Sequence, residues 1–289
     1  MKTAFLGLGA IGRPMAARIA AAGLPLTVWN RTADRAAAFS GETGGRVRHA
    51  LSPADAVRDA EVVITCFPES KHVQALLDGP DGLIAGLQRG ATLVDCTSGD
   101  PATSRAIAKT LDFHGVGFLD APVTGSKAQA ESGTLAFLVG GRAELLERAR
   151  PALIAMSGSI AHLGPSGSGA TMKLINNFLC GVQVASLAEA LAMAERSGLD
   201  ARQAAAVLGA GSPGSPLVKI VAQRMLDRVY EPNFFVPLMA KDLAYARQAF
   251  ARAGLELKSA DVAREAFLAA ERAGFGEEDI ASIVELLRR

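Results

Sequence analysis

Little in this sequence commits the chain to nucleic acid, a metal or a membrane. Its 30 Lys and Arg stand against 29 Asp and Glu, a formal net charge of +1. No basic field therefore argues for nucleic acid, and no acidic excess argues for disorder. The three cysteines, Cys66, Cys96 and Cys180, lie far apart in apolar surroundings and lack metal-ligand spacing. They read as buried thiols in a reducing compartment, which excludes a disulfide scaffold. The four histidines, His49, His72, His114 and His162, have no partner at ligand spacing, so no metal is expected. Charge-free apolar runs fall short of the ~20 residues a membrane span needs. The apolar stretch near Met1 is too short for a signal peptide and leads directly into glycines. The expected location is the cytoplasm. A Gly-x-Ser-x-Gly nucleophile elbow is absent, as are internal repeats and low-complexity linkers.

What remains is a chain of 289 residues, 49% hydrophobic and 20% charged, long enough for two domains and a sizeable core. Up to about Leu163, short apolar runs alternate with segments of helical spacing. The runs predict strands at Thr3–Leu8, Leu26–Trp29, Val62–Cys66, Thr92–Cys96, Val116–Asp120, Leu135–Val139 and Ile160–Leu163. Helices are predicted between them at Ala10–Ala22, Ala33–Phe39, Pro101–Leu111 and Ala143–Met156. Continuously apolar strands alternating with helices argue for a mainly parallel sheet covered on both faces. After Leu163 the chain is rich in alanine and leucine, and the spacing is helical throughout. Helices are predicted at Ala170–Ser197, Ala201–Leu208, Leu217–Leu226, Leu238–Ala253, Lys258–Ala273 and Glu277–Leu287. The composition change places the domain boundary at 163/164, an α/β domain over 1–163 and an all-α domain over 164–289.

Gly7-Leu8-Gly9-Ala10-Ile11-Gly12 follows the first predicted strand and opens the first predicted helix. In that context Gly-x-Gly-x-x-Gly binds a dinucleotide: the first glycine turns the chain, the second admits the pyrophosphate, and the third lets helix and strand pack closely. Free amides at the helix start then face the anion. An NAD-preferring site carries an acid at the end of the second strand, for the ribose 2′-hydroxyl. Here that strand ends Asn30-Arg31-Thr32. A guanidinium, with Asn30 and Thr32 as hydrogen-bonding neighbours, suits a 2′-phosphate, so NADP is expected, with NAD possible.

The predicted helix from Ala170 carries Lys173, Asn176 and Asn177 within one turn, on one face of an otherwise apolar segment. Either that face is solvated or it lines a polar pocket.

Four motifs in order resemble the β-hydroxyacid dehydrogenase family. They are Gly-Leu-Gly-x-x-Gly-x-x-Met at Gly7 to Met15, Asp120-Ala-Pro-Val-Thr-Gly-Ser126, Gly167-x-Gly-x-x-x-Lys173-x-x-Asn-Asn177 and Leu238-Met-Ala-Lys-Asp-Leu243. The resemblance implies a Rossmann-type N-terminal domain and an all-helical C-terminal domain joined by a long helix. It implies Lys173 as general acid/base and Asn177, with Asn176, as orienting groups. Thr124, Gly125 and Ser126 would hold a substrate carboxylate. Phe234, Lys241 and Asp242 would complete the site from the helical domain, Lys241 beside the nicotinamide. Asp95-Cys-Thr-Ser98 stands where the family often has Asp-x-Ser-Thr, which leaves the nicotinamide contact open between Thr97 and Ser98.

Within the family the chain is most similar to the NADPH-dependent glyoxylate/succinic semialdehyde reductases. The expected activity is reduction of short aldehyde or oxo acids. The alternatives are a 3-hydroxyisobutyrate-type dehydrogenase, an imine reductase (a branch that usually lacks the lysine) and a non-catalytic dinucleotide-binding module. The expected partners are a small carboxylate-bearing substrate and further copies of the chain, as a homodimer or homotetramer.

Overall fold

The structure is a computed structural model that describes residues 1–288. By contacts the chain divides into two compact units, Met1–Lys173 and Leu174–Arg289.

The first unit runs β1 (Thr3–Leu6), α1 (Gly12–Ala21), β2 (Leu26–Trp29), α2 (Ala33–Glu42), β3 (Arg48–His49), α3 (Pro53–Val57) and β4 (Val62–Thr65). It continues through α4 (Ser70–Ala75), α5 (Leu83–Gly86), β5 (Thr92–Asp95), α6 (Pro101–Phe113), β6 (Gly117–Asp120) and β7 (Val123–Thr124). Then come α7 (Lys127–Ser132), β8 (Leu135–Gly141), α8 (Ala143–Ile154) and β9 (Ser157–His162). The continuously apolar runs do become strands buried on both faces: β1, β4, β5 and β6 are buried end to end. Strand order is β3-β2-β1-β4-β5-β6-β8-β7, with β9 on β8. The first six strands pair in parallel, whereas β8 runs antiparallel to both β6 and β7.

Two features of this sheet place the site. The chain winds outward from β1 through β2 and β3, then crosses back to β4 on the other side of β1. That reversal is a topological switch point at the carboxyl ends of β1 and β4, the place where open α/β sheets bind ligands. The register also aligns Leu6, Thr65, Asp95 and Asp120 across four neighbouring strands. The loops that follow all four strands therefore leave from one edge of the sheet.

The second unit is helical. The long α9 (Ser168–Arg196) enters it, followed by α10 (Ala201–Ala210), α11 (Pro216–Asp227), α12 (Val236–Ala251) and α13 (Lys258–Ala270). Val184, Leu187 and Leu191 of α9 are buried in this unit with Met225, Met239, Leu243 and Phe267. Local signals start two of these helices: Asp200 accepts from the Gln203 amide, and Ser215 from the Val218 amide with Pro216 first in the helix. Among the described residues α9 alone is long and apolar enough to cross a membrane by length and composition.

The predicted helix at Glu277–Leu287 is corrected. Residues 280–284 form a short 3-10 turn, and only Glu285–Arg288, α14, is α-helical. Asp279 is the cause. Its carboxylate, buried to 2% exposure, accepts from the amides of Asn233, Phe234 and Ala281 and pairs with Arg224 at 3.2 Å. Those bonds hold Asp279 extended (ψ 151°), which stops any helix from running through it.

Candidate active site

Three glycines after β1 have different physical reasons. Gly7 has φ +104°, and a Cβ there would lie 2.2 Å from the Cys66 carbonyl oxygen. A Cβ on Gly12 would lie 2.0 Å from the Gly7 carbonyl oxygen. Packing within the protein thus requires both. Gly9 is exposed and a Cβ there would meet nothing within 4 Å. The open space beside its backbone fits a ligand that must come close, which is the pyrophosphate's need. No side chain caps α1, and no acid sits in its first turn, so its amides suit an anion. Leu8 is buried, Ala10 exposed and Ile11 half-buried, so the loop shows backbone outward around Gly9 and Ala10.

Asn30 is fastened to this loop. Its Oδ1 accepts from the Leu8 amide at 2.9 Å and its Nδ2 donates to the Thr32 carbonyl at 3.0 Å. The carboxamide that the sequence offers to a 2′-phosphate thus braces the glycine loop against the end of β2. Arg31 and Thr32 are exposed there.

At the ends of β4 and β5, Asp95 gathers the loops. Its Oδ1 accepts from the Thr65 hydroxyl at 2.9 Å and the Thr97 amide at 3.0 Å. Thr97 Oγ1 in turn accepts from the Phe67 amide at 3.1 Å. Burial pushes the Asp95 carboxyl up to about 6, against the hydrogen bonds that favour its charge. Thr97 is buried at 4% exposure, while Ser98 is half-buried. Burial, with Asp95 nearby, also pushes the Cys66 thiol up to about 12, and burial raises Cys96 as well. Both shifts favour the neutral thiol over the nucleophilic thiolate.

Beyond β6, Thr124 and Gly125 are half-buried and exposed, and Ser126 starts α7. Ser126 and Gln129 form a capping box, in which the Ser126 amide donates to Gln129 Oε1 at 2.6 Å. That amide is occupied, so what Ser126 has left to donate is its hydroxyl proton and not its backbone N–H.

Asp120 opens the second motif, yet its own role is visible only in the structure. It is 1% exposed; Oδ1 accepts from the Gly167 amide at 2.7 Å and Oδ2 from the Ala170 amide at 2.8 Å. It thus caps α9 from the sheet, and Lys173 lies one turn beyond Ala170. An aspartate ending a strand before Ala-Pro, with a Gly-x-Gly helix start downstream, was the available signal. Its partners are 47 and 50 residues away, which no local pattern reveals.

In the helical unit, Asn176 Nδ2 donates to Asn177 Oδ1 at 3.0 Å, and Asn177 Nδ2 donates to Asp242 Oδ2 at 2.5 Å. Lys241 Nζ stands 3.0 Å from Asp242 Oδ1 and 5.6 Å from the centre of the Tyr245 ring. Asn177 and Asp242 are 2% and 1% exposed. Asn177 and Asp242 thus form a buried polar pair that half-buried Asn176 extends, and this part of the polar face is not a solvated stripe. Phe234 is half-buried against the unit's apolar core. Among the described residues no cluster of His, Cys, Asp and Glu could hold a metal ion.

Comparison with known proteins agrees with the fold. Residues 2–164 match the profile of the NAD binding domain of 6-phosphogluconate dehydrogenase, and residues 167–287 that of the NAD-binding region of NADP-dependent 3-hydroxyisobutyrate dehydrogenase. An NAD-dependent L-serine dehydrogenase of Pseudomonas aeruginosa is 35% identical over 98% of this chain and 96% of its own. The chloroplastic glyoxylate/succinic semialdehyde reductase 2 of Arabidopsis thaliana is 34% identical over 98% of this chain and 78% of its own. Mycobacterium tuberculosis 3-hydroxyisobutyrate dehydrogenase, solved with L-serine, superposes with a TM-score of 0.88 at 30% identity, over 100% of this chain and 99% of that one. Strand order, glycine loop and both profiles define an NAD(P)-dependent oxidoreductase. The second profile and the relatives that match nearly the whole of this chain narrow that class: the chain belongs to the β-hydroxyacid dehydrogenase family.

Proposed function

We propose that this oxidoreductase uses NADPH to reduce short aldehyde or oxo acids, of the glyoxylate or succinic semialdehyde type, to hydroxy acids. The observation that carries the reading is the common edge. The glycine loop after Leu6 and the Asp95–Thr97 turn follow strand ends in one register, and Asp120, in the same register, ties the α9 start to that edge, with Thr124–Ser126 four to six residues beyond it. The bound dinucleotide supplies the hydride; the chain binds, orients and handles the proton. Gly9 and the α1 amides take the pyrophosphate, and Arg31, with Thr32 beside it, takes the 2′-phosphate. The hydroxyls of Thr124 and Ser126 hold the substrate carboxylate, and Ser98, the less buried of the two candidates, faces the nicotinamide. As negative charge grows on the carbonyl oxygen, the Lys173 ammonium stabilises it and then donates its proton. Asn176 and Asn177, set by Asp242, orient groups on the same helix face as Lys173. The chain acts in the cytoplasm as a homodimer or homotetramer.

A second reading, oxidation of short 3-hydroxy acids, is favoured by the full-length likeness to a 3-hydroxyisobutyrate dehydrogenase. A panel of short oxo acids and hydroxy acids, assayed with both cofactors in both directions, tests the choice. The expected result is highest kcat/KM for an aldehyde acid with NADPH. Faster turnover of a 3-hydroxy acid with NAD⁺ would replace the first reading with the second.

A further inference from the structure

Asp120 has a geometry that ordinary helix capping does not require. The side-chain caps of α3, α6, α10 and α11 come from Ser52, Asp100, Asp200 and Ser215, each the residue just before its helix. The start of α9 is instead held by a side chain on β6, through Oδ1 to the Gly167 amide and Oδ2 to the Ala170 amide. The surrounding backbone is stripped to admit that carboxylate. A Cβ on Gly140 would lie 2.7 Å from its Oδ1, and a Cβ on Gly169 would lie 2.5 Å from the Asp120 carbonyl oxygen and 2.2 Å from that of Leu138. Gly167 reaches its amide position only at φ +95°. A buried carboxylate is expensive to keep unless its partners hold it in place.

Bonds to two amides three residues apart fix both the rotation of α9 and its height over β6. Lys173 follows Ala170 by three residues and so projects from the same side of the helix. The Thr124–Ser126 loop follows Asp120 by four to six residues on its other flank. One side chain therefore sets the distance from β6 to the helix that bears the ammonium, at the strand end from which the chain runs on to the loop that would hold the substrate. The carboxylate also puts a negative charge at the positive end of α9, where the helix field would otherwise oppose an ammonium in the second turn. Asp95, in register on β5, and Arg105, whose guanidinium packs beside Gly167, are the charged groups that face it from neighbouring elements.

We infer that Asp120 is a positioning residue of the reaction, acting through Lys173 by anchoring the first turn of α9. The inference rests on the reading of Lys173 as the proton-transfer group. Four full-length proteins test it: wild type, Asp120→Asn, Lys173→Ala and the double variant. In the wild-type background Asp120→Asn lowers kcat about 10- to 100-fold, the scale of a small misplacement near the chemistry. NADPH affinity, read by fluorescence titration, stays within about 2-fold, and hydrogen exchange quickens over residues 164–176. In the Lys173→Ala background the same change lowers the residual kcat by no more than about 2-fold, because groups that act as a unit are not additive.

An equal loss in both backgrounds would make Asp120 a structural cap only, and an unchanged kcat would remove it from the reaction. A Lys173→Ala enzyme with wild-type kcat would instead overturn the reading of Lys173, and this inference with it. If Asp120→Asn is not recovered folded, Asp120→Glu takes its place. It keeps the charge, moves it by one methylene, and is held to the same non-additivity.

Discussion

Among single residues, the carboxylates at the sheet edge were the least legible in the sequence. The glycines, Arg31 and Lys173 announce themselves by spacing. Asp95 and Asp120 act through partners brought near by folding, as Asn30 does when it braces Leu8. Asp95 offers a test of its burial. Its carboxyl is raised from 3.8 to about 6, chiefly by desolvation. A raised carboxyl favours the folded state below its unfolded value, and that contribution is lost as pH climbs through the folded one. Asp95→Asn keeps an oxygen for Thr65 and Thr97 while removing the buried charge. The variant should match wild type near pH 4 and gain about 1–3 kcal/mol above pH 6.5, measured by urea unfolding across that range. A gap that does not change with pH would mean that Asp95 is not ionised at a penalty. Two further substitutions test the site chemistry. Lys173→Ala should lower kcat about 10²- to 10⁴-fold with NADPH affinity nearly unchanged, by steady-state kinetics and binding titration. Arg31→Asp should move preference toward NADH, read as the ratio of kcat/KM with the two cofactors; an unaltered ratio would displace the 2′-phosphate from Arg31.

Elements were legible where they were long enough to show a period. The buried strands and the helices α6, α8, α9 and α13 begin within a few residues of where the pattern puts them. The helices α3, α4, α5 and α7 span four to six residues. Fewer than two turns show no period, and a two-residue strand such as β3 shows no alternation. The end of the chain misled for another reason: Glu277 to Leu287 has helical composition, but the long-range bonds of Asp279 override it. The strand–loop–helix unit at β1 and α1 makes a sharp prediction of its own. Gly9→Ala should leave the melting temperature of the cofactor-free protein close to wild type while weakening NADPH binding at least about 10-fold, since only the ligand's approach is obstructed. Gly12→Ala should lower the melting temperature strongly, because its Cβ would sit 2.0 Å from backbone. Thermal scans and dinucleotide titration on both variants separate the two roles. Equal destabilisation would mean that Gly9 is a packing glycine like its neighbour.

For the whole molecule, composition showed two kinds of sequence meeting near Gly164, while the contacts divide the chain at 173/174, inside α9. The difference has a physical source. Composition changes where the apolar helical sequence begins, but the bonds from Asp120 hold the first turn of that helix to the sheet. Amphipathic reasoning cannot say what covers the rest of α9, whose apolar residues go all the way round. Inward residues such as Val184 and Leu191 are buried in the helical unit, yet Leu179 and Met193 on the same helix are 54% and 70% exposed. Val207 and Ile220, on α10 and α11, are 71% and 61% exposed. Apolar side chains are common on any surface, but a helix apolar on all sides is ordinarily buried on all sides. The expected cover is a second copy of the chain, which leads to a prediction about assembly. Wild-type protein should run as a dimer or tetramer in sedimentation velocity. Leu179→Glu with Met193→Glu should shift it toward monomer without loss of helix content by circular dichroism, because both side chains lie outside the unit's own core. If wild type is monomeric, or if the double variant assembles as before, α9 is not part of an interface between copies and its exposed face must be accounted for within the single chain.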